Sequence, residues 1–257
     1  MSDFVLYNAP QSTCSQRVRF VMHAKGLAYD DRRLDLFSGD QLKPEYLKIN
    51  PNGVVPALLH QGRAVLDSAV IMEYLDEIAP DVSFTPDDAV ERARMRSMMR
   101  YIDEIPTPSI RIPSYNLAFL PHFRDMTEEA FIALANSKPL RKEFLLSMGR
   151  SGFVPAEMDQ ATERLNRALV RMDQWIGGSG GPWLMGSALT LADIAIMPVI
   201  VRMDDINLDG AWADKPAIAR WLTLLRVQPA FAKTYYHGSL LTEKYPHLAA
   251  LRNQKAG

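Results

Sequence analysis

The pattern of apolar positions changes character about a third of the way along the chain. Before that point, short apolar runs at 4–7 and 54–59 alternate with segments at 16–25 and 68–78, in which apolar residues recur every three to four positions. The runs predict strands, and the periodic segments predict amphipathic helices. Their order predicts a strand–helix–strand unit followed by a helix, a two-stranded hairpin and a closing helix, which together form a small α/β domain.

The remainder of the chain has a helical pattern. A stretch with two prolines and no periodicity, 79–86, predicts a connection between the two halves. The expected helices after it cover 89–105, 156–176, 191–205, 217–227 and 230–236, and residues 127–149 also have a helical pattern. Prolines at 106, 108 and 113 are expected to break the first of these helices. We therefore predict an α/β domain at 1–80, a linker at 81–88 and an all-α domain at 89–257.

Composition narrows the classes of function. The chain has 29 basic and 30 acidic residues and a net charge of −1, which provides no basic surface for nucleic acid or an anionic membrane. No apolar stretch approaches the ~20 residues of a membrane span, and the first residues lack the pattern of a signal peptide. We expect a cytoplasmic protein without a nucleic-acid or membrane partner. One cysteine excludes an internal disulfide framework and a multi-cysteine metal site, so no metal is expected.

That cysteine lies in a cluster of small polar residues, Ser12, Thr13, Cys14 and Ser15, between the first strand and the first helix. Free backbone N–H groups and the positive end of the helix dipole at such a position stabilise an anion, in particular a thiolate. Three roles fit the residues. The cluster caps the helix, or Cys14 takes part in one-cysteine thiol exchange, or a serine hydroxyl stabilises the sulfur of a bound small molecule. A dithiol reaction is excluded because there is no second cysteine.

Several motifs in sequence order resemble the cytosolic glutathione transferases. The run S-T-C-S-Q-R-V-R resembles the zeta-class signature. It is followed by N-P at 50–51 and V-P at 55–56, by D-S at 67–68, and by Gly186 with T-L-A-D at 190–193. The resemblance spans nearly the whole chain. It implies a thioredoxin-like N-terminal domain, an all-α C-terminal domain, glutathione as co-substrate and a homodimer.

The resemblance also implies how glutathione is held. The Val55–Pro56 bond is expected to be cis, so that the backbone of Val55 pairs with glutathione as an added strand. Ser68 and the first N–H groups of its helix would bind the γ-glutamyl carboxylate, and Asp67 would face the ammonium group. The same two residues also fit a plain helix cap. Gln41 would contact the backbone or the glycyl end of glutathione, unless it is an ordinary solvated loop residue.

For activation of the sulfur, the zeta-class motif implies Ser12 with Cys14 assisting, whereas etherase-like bacterial members imply Ser15. We rank Ser12 ahead of Ser15 and treat Cys14 as a neighbour. Asp103, in R-Y-I-D-E, lies in a region that often supplies an acidic group to the γ-glutamyl amine in this family, although a solvated helix face is the simpler interpretation. Thr190 and Asp193 form a capping box with a structural role only.

An extended segment at 106–155 resembles the corresponding part of bacterial transferases that cleave β-aryl ethers of lignin-derived compounds. It contributes the aromatic residues Tyr115, Phe119, His122 and Phe123. Such side chains suit the wall of a pocket for a flat phenolic electrophile, although each also suits packing of the segment onto the body of the protein.

The resulting hypothesis is a glutathione transferase that cleaves β-aryl ethers. Three alternatives stay open. A maleylacetoacetate isomerase-like reaction needs cations for two carboxylates, for which Arg17, Arg111 and Arg124 are available, although surface arginines are mostly solvated. A reductive dehalogenase would give Cys14 a larger role, because a glutathionyl adduct must be resolved by thiol exchange. A non-catalytic binding module is disfavoured by the intact Ser/Cys cluster.

Overall fold

One mixed four-stranded sheet lies in the N-terminal part of the protein. A computed structural model describes residues 2–248 and residue 250. The strands are β1 (Phe4–Asn8), β2 (Asp30–Arg33), β3 (Ala57–His60) and β4 (Arg63–Leu66). Their order is β2-β1-β3-β4, with β1 parallel to β2 and antiparallel to β3, and β3 antiparallel to β4. The parallel strand–helix–strand unit and the hairpin match the order that the apolar pattern predicts.

Three helices belong to this unit: α1 (Thr13–Ala24), α2 (Pro44–Leu47) and α3 (Ser68–Ile78). Helices α1 and α3 pack against each other and share a core with the sheet, because their apolar faces meet the inward side chains of β1 and β3. Leu6, Val18, Leu58 and Ile71 are fully buried in this core.

Helices make up most of the remaining described chain. Their bounds are α4 (Ala89–Glu104), α5 (Pro106–Ser114), α6 (Pro121–Arg124), α7 (Glu128–Asn136), α8 (Lys142–Met148), α9 (Pro155–Ser179), α10 (Leu191–Asp205), α11 (Pro216–Arg226), α12 (Pro229–Thr234) and α13 (Leu241–Lys244). Helix α10 is buried along nearly all of its length and packs against α1, α4 and α5. Within the described residues, no helix has the length and apolar character needed to cross a membrane.

The prediction for the prolines is partly wrong. Pro106 ends α4 but at once begins α5, because a proline in the first helical turn gives up only an N–H that has no partner there. Pro113 lies inside α5 and does not end it; the chain continues into a wider π-helical turn at Tyr115–Phe119. Residues 106–155 are therefore mostly helical. They enclose a small hydrophobic core around Phe123, Phe131 and Leu145.

Two buried polar contacts fix the arrangement. Lys25 on α1 forms a buried ion pair with Asp76 on α3 (2.7 Å) and donates to the carbonyl of Ala79 (2.8 Å) beyond α3. Asp193 accepts hydrogen bonds from both the backbone and the hydroxyl of Thr190, which confirms the predicted capping box, and also from the Trp221 indole (2.8 Å). The assignment of 81–88 as a domain linker stays a prediction.

Candidate active site

A cleft of about 510 Å³ opens where the N-terminus of α1 faces α5 and the segment after it. Its N-terminal wall includes Ser12, Cys14, Gln41 and Val55. Its other wall comes from the helical part of the chain. The cleft thus brings together residues that the sequence analysis assigned to two substrates.

Ser12 lies at the N-terminus of α1, and its hydroxyl oxygen already accepts one hydrogen bond. It is the N-cap of the helix, in extended conformation, and its Oγ accepts the backbone N–H of Ser15 (3.2 Å). Because the hydroxyl only accepts in this bond, its own hydrogen is available to donate. Ser12 lines the cleft, so that hydrogen can be directed to a bound sulfur.

Ser15 occupies a different environment. It is completely buried, does not line the cleft, and its Oγ accepts the backbone N–H of Ala9 (3.3 Å). Cys14 is a half-buried free thiol that lines the cleft beside Ser12. The structure therefore brings Ser12 and Cys14 to the cleft and keeps Ser15 inside the protein.

The loop before β3 presents backbone groups to the same cleft. The Val55–Pro56 bond is cis, as the motif predicted. The carbonyl of Val54 accepts the Tyr46 hydroxyl (2.6 Å) and the Asn50 amide (2.7 Å), which fixes the loop. Within the described residues, neither the N–H nor the C=O of Val55 has a hydrogen-bond partner. Val55 lines the cleft, whereas Pro56 is buried and does not.

Gln41 is also a poor match for a solvated loop residue, since it is only 4% exposed. Its Nε2 donates to the carbonyl of Leu36 (3.1 Å), and its Oε1 is buried without a partner in the described part of the chain. Lys138 donates to the same carbonyl (3.4 Å). An amide oxygen and an ammonium group therefore lie close together at this end of the cleft.

Asp67 and Ser68 lie at the start of α3 and do not line the cleft. Asp67 is the N-cap, and its carboxylate accepts the N–H groups of Ala69 (2.9 Å) and Val70 (3.3 Å). This agrees with the plain helix-cap interpretation, and the role of Asp67 and Ser68 at the γ-glutamyl end stays a prediction.

Arg17 was expected to be a solvated surface residue, and this is wrong. Its side chain is 1% exposed, because α1 lies between the sheet and the helical domain. It donates to the carbonyl of Ala195 (2.7 Å), to Thr107 (2.8 Å) and to Ser68 (3.4 Å), and forms an ion pair with Asp103. Asp103 keeps about a third of its side chain exposed, so it is a half-buried partner of Arg17.

All four aromatic residues predicted for the second wall line the cleft, namely Tyr115, Phe119, His122 and Phe123. They also pack on one another: the rings of Tyr115 and Phe119 meet edge to face with centroids 4.9 Å apart. The pocket role and the packing role therefore coexist. Sequence reasoning missed Phe37, which lies in the loop after β2. Its ring stacks on that of His122 with centroids 3.9 Å apart.

Two family models match this chain, one in its N-terminal part and one in its C-terminal part. Residues 11–78 match the N-terminal domain of glutathione S-transferases, and residues 155–224 match their C-terminal domain. Together the two matches cover more than half of the chain.

The chain belongs to the glutathione S-transferase family.

Curated relatives of this glutathione S-transferase match most of its length. Protein LigF of Sphingobium sp. (strain NBRC 103272 / SYK-6) is 26% identical over 238 residues, which are 90% of this chain and 92% of that protein. Maleylacetoacetate isomerase of Pseudomonas aeruginosa is 28% identical over 237 residues, 90% of this chain and 94% of that protein.

Solved structures show the same fold. The crystal structure of the β-etherase LigF superposes with a TM-score of 0.82 at 24% identity, covering 91% of this chain and 99% of that one. A glutathione transferase homologue from Sulfitobacter with bound glutathione has a TM-score of 0.64 at 24% identity, covering 90% and 96%. The predicted thioredoxin-like and all-helical architecture is confirmed.

Residues 79–154 of this transferase lie outside both family matches. That stretch supplies the aromatic wall and three of the cations that line the cleft, Arg111, Lys138 and Arg141.

The other cations that line the cleft come from elsewhere in the chain, namely Arg33, Arg202 and Lys244. Arg111 was considered only as one of several surface arginines, and Lys138 and Arg141 were not considered. Arg124, the other arginine named for this role, is exposed and outside the cleft.

Proposed function

We propose that this protein activates the thiol of glutathione with Ser12 and directs the thiolate at a small aromatic electrophile. The most specific form of the proposal is attack on a β-aryl ether, at the carbon that bears the aryloxy group and lies next to a ketone. The observation that carries the proposal is the position of the Ser12 hydroxyl. It lies at the N-terminus of α1, lines the cleft and retains a hydrogen to donate.

In this proposal the backbone of Val55 pairs with the cysteinyl residue of glutathione, which is supported by its two groups without partners. Gln41 Oε1 accepts an N–H near the glycyl end, and Lys138 binds the glycyl carboxylate. The γ-glutamyl end extends to Ser68, with Asp67 and Asp103 as the acidic groups for its ammonium.

The energetic requirement is modest. Lowering a thiol pKa from about 8.5 by about two units needs ~2.7 kcal/mol of preferential thiolate stabilisation. A hydrogen bond from a hydroxyl to an anion supplies ~1.5–3 kcal/mol. The end of the α1 dipole adds ~0.3–1 kcal/mol. Ser12 and α1 together therefore meet the requirement without a covalent intermediate on the protein.

The chemical step is a displacement at carbon. The glutathione thiolate attacks the carbon that bears the aryloxy group, next to a ketone, from the side opposite that group. A carbon–sulfur bond forms as the carbon–oxygen bond breaks, and the aryloxide leaves with the bonding pair and takes a proton from water. Because the cleft holds both substrates in a fixed orientation, it lowers the free-energy barrier of their reaction. The aromatic wall, with Tyr115 and Phe119, suits the departing ring.

Similarity to LigF, named a β-etherase, supports the choice of this reaction over others of the family. Cys14 is assigned no step here, because displacement leaves a thioether and needs no thiol exchange. Thiol exchange in a dehalogenase-type reaction is the alternative that the half-buried position of Cys14 in the cleft would serve.

We also propose a homodimer joined through α3 and α4. Val70 and Val90 are 54% and 72% exposed on these two helices, and Glu73 and Arg96 link the helices by an ion pair (2.8 Å). Sedimentation of the purified protein tests this: a monomer at micromolar concentration would contradict it.

The test of the proposed function combines binding and turnover. The protein is passed over immobilised glutathione and then assayed with an α-aryloxy ketone, with release of the phenol and formation of the thioether both quantified. We expect retention and equal amounts of the two products. A protein that neither binds glutathione nor releases phenol would contradict the proposal. Loss of turnover in Cys14→Ala, with Ser12→Ala unaffected, would replace thiolate stabilisation by thiol exchange.

A further inference from the structure

The cleft is strongly cationic, although the protein as a whole carries a net charge of −1. Six Arg and Lys residues line it, whereas among the described lining residues only Asp35 has a carboxylate. That carboxylate already accepts the N–H of Phe37 (2.9 Å) and the hydroxyl of Ser38 (2.8 Å). The positive charge of the cleft is therefore not neutralised from within its own wall.

Most of the cations already have a role. Arg33 pairs with Asp31 (2.7 Å), and Arg202 donates to the carbonyl of Gln11 (2.6 Å). Lys138 lies beside Gln41, where the proposed function places the glycyl carboxylate of glutathione. Lys244 is exposed at the rim.

Arg111 and Arg141 are the two that remain. Neither guanidinium forms an ion pair in the described chain, and that of Arg111 has no hydrogen-bond partner there. The Arg111 guanidinium contacts the face of the Phe144 ring (5.5 Å), and within the described chain the Arg141 guanidinium donates only to the carbonyl of its neighbour Leu140 (3.0 Å). A partly buried guanidinium without an ion partner is costly, and a carboxylate on a bound ligand would offset that cost.

Arg111 and Arg141 line the same cleft as Cys14 and the aromatic wall. Burial lowers the pKa of Arg111, Arg141 lowers it further, and Cys14 and Tyr115 raise it. The same two arginines act on the phenol of Tyr115, whose pKa is raised by burial. Arg111 contacts Phe144, whose ring packs edge to face on Tyr115 of the aromatic wall (4.8 Å), so the Arg111 guanidinium lies beside that wall.

We infer that Arg111 and Arg141 form a subsite for a carboxylate carried by the electrophile, so that the preferred substrates are aromatic compounds bearing a carboxylate. This inference rests on the proposed function, because it assigns the ligand that lies beyond the glutathione sulfur. The planar guanidinium groups suit a carboxylate, which they can bind through paired N–H donors. The aromatic wall binds the ring, and the arginines then select among aromatic compounds by charge.

Binding of glutathione conjugates tests the inference without relying on turnover. The probes are S-benzylglutathione and its meta- and para-carboxybenzyl analogues, compared by calorimetry. We expect at least one carboxylated conjugate to bind about tenfold more tightly than S-benzylglutathione, as charge-assisted hydrogen bonds imply. The advantage should disappear in Arg111→Gln and Arg141→Gln and shrink at high salt. The matched control Arg124→Gln should keep it, since Arg124 is exposed outside the cleft.

Each outcome has a distinct meaning. Unchanged binding of S-benzylglutathione by the Arg111 and Arg141 variants shows that they fold, so that a selective loss for the carboxylated conjugate supports the subsite. Equal binding of all three conjugates by the unmodified protein, or an advantage that survives in both variants, would overturn it. Failure to bind any conjugate would overturn the proposed function itself.

Discussion

The Ser12 Oγ accepts the backbone N–H of Ser15 at 3.2 Å, while the Ser15 Oγ accepts the N–H of Ala9 from the opposite side. The two hydroxyls therefore serve different parts of the protein. Ser12 faces the cleft at the helix end, and Ser15 closes the turn behind it.

This relationship predicts that Ser12→Ala mainly lowers activity, whereas Ser15→Ala mainly lowers stability. Ser12→Ala removes a hydrogen bond to the thiolate and should lower kcat/KM for glutathione-dependent ether cleavage by about 10- to 100-fold. Loss of the cap should cost ~1 kcal/mol of unfolding free energy. Ser15→Ala leaves the N–H of Ala9 buried without a partner, so it should cost ~1–3 kcal/mol of stability but retain kcat/KM in the folded protein. Steady-state kinetics and denaturation of both variants check this, and the reverse pattern would assign activation to Ser15.

A second prediction concerns Gln41. Because its Oε1 is buried without a partner in the described chain, glutathione would supply that partner on binding. Gln41→Met should raise the Kd for glutathione about tenfold, whereas Gln160→Met, at an exposed position on α9, should leave it unchanged. Calorimetric titration measures both. Identical affinities for the two variants would remove Gln41 from the site.

The third prediction separates a buried cap from an exposed one. Asp193 is fully buried and accepts hydrogen bonds from Leu184 and Trp221 besides Thr190, so Asp193→Ala strands several buried donors. We expect a loss of ~3 kcal/mol or more of unfolding free energy. Asp88→Ala, at the exposed cap of α4, should cost only ~1 kcal/mol. Denaturant unfolding compares them. Equal losses would contradict a role of Asp193 beyond capping.

The fourth prediction is a pH dependence at His122. Burial lowers the pKa of His122 below its ordinary value of 6.5, Lys244 lowers it too, and Asp35 opposes both. The unfolded chain therefore takes up this proton at a higher pH than the folded protein. The contribution of His122 to stability is thus complete above about pH 6.5 and is lost as the pH falls through the folded pKa.

An NMR titration of the imidazole tests the origin of that shift. Asp35→Asn should lower the pKa of His122 further, because it removes the one carboxylate that raises it. The control Asp159→Asn, exposed on α9, should not change it. A pKa that rises in Asp35→Asn would show that the Asp35 carboxylate does not act on His122 as described.

How far the sequence predicts the structure depends on the range of the interactions involved. Helix α10 begins and ends where its pattern placed it, at Leu191 and Asp205, because a local capping box fixes its start. It also accommodates Pro198 in its interior, as α5 accommodates Pro113. Helix continuation through a proline is a tertiary effect, since packing on both sides compensates for the lost N–H.

In the site, too, features set by local sequence could be predicted, and features set by long-range contacts could not. The cis bond at Val55–Pro56 and the capping position of Ser12 come from local motifs, and both could be predicted. Burial of Arg17 could not, because its partners Ala195, Thr107 and Asp103 come from α10, α5 and α4. Long-range contacts of this kind leave no periodicity in the sequence.

The cations of the cleft were missed for a related reason. Lys138 and Arg141 lie in the connection between α7 and α8, which has no counterpart in either family match. Their proximity to Leu36 and Arg111 depends on how residues 106–155 fold back over the sheet. The signal in the sequence was the basic run K-P-L-R-K at 138–142.

The most direct test of thiolate stabilisation by Ser12 is the pKa of the glutathione thiol bound to the protein, followed by ultraviolet difference absorbance of the thiolate. We predict a value about two units below the ordinary thiol value of ~8.5 in the unmodified protein, in Ser15→Ala and in Cys14→Ala. In Ser12→Ala it should rise by one unit or more, leaving only the field of the helix dipole. A bound thiol that keeps its lowered pKa in Ser12→Ala would contradict the role of Ser12.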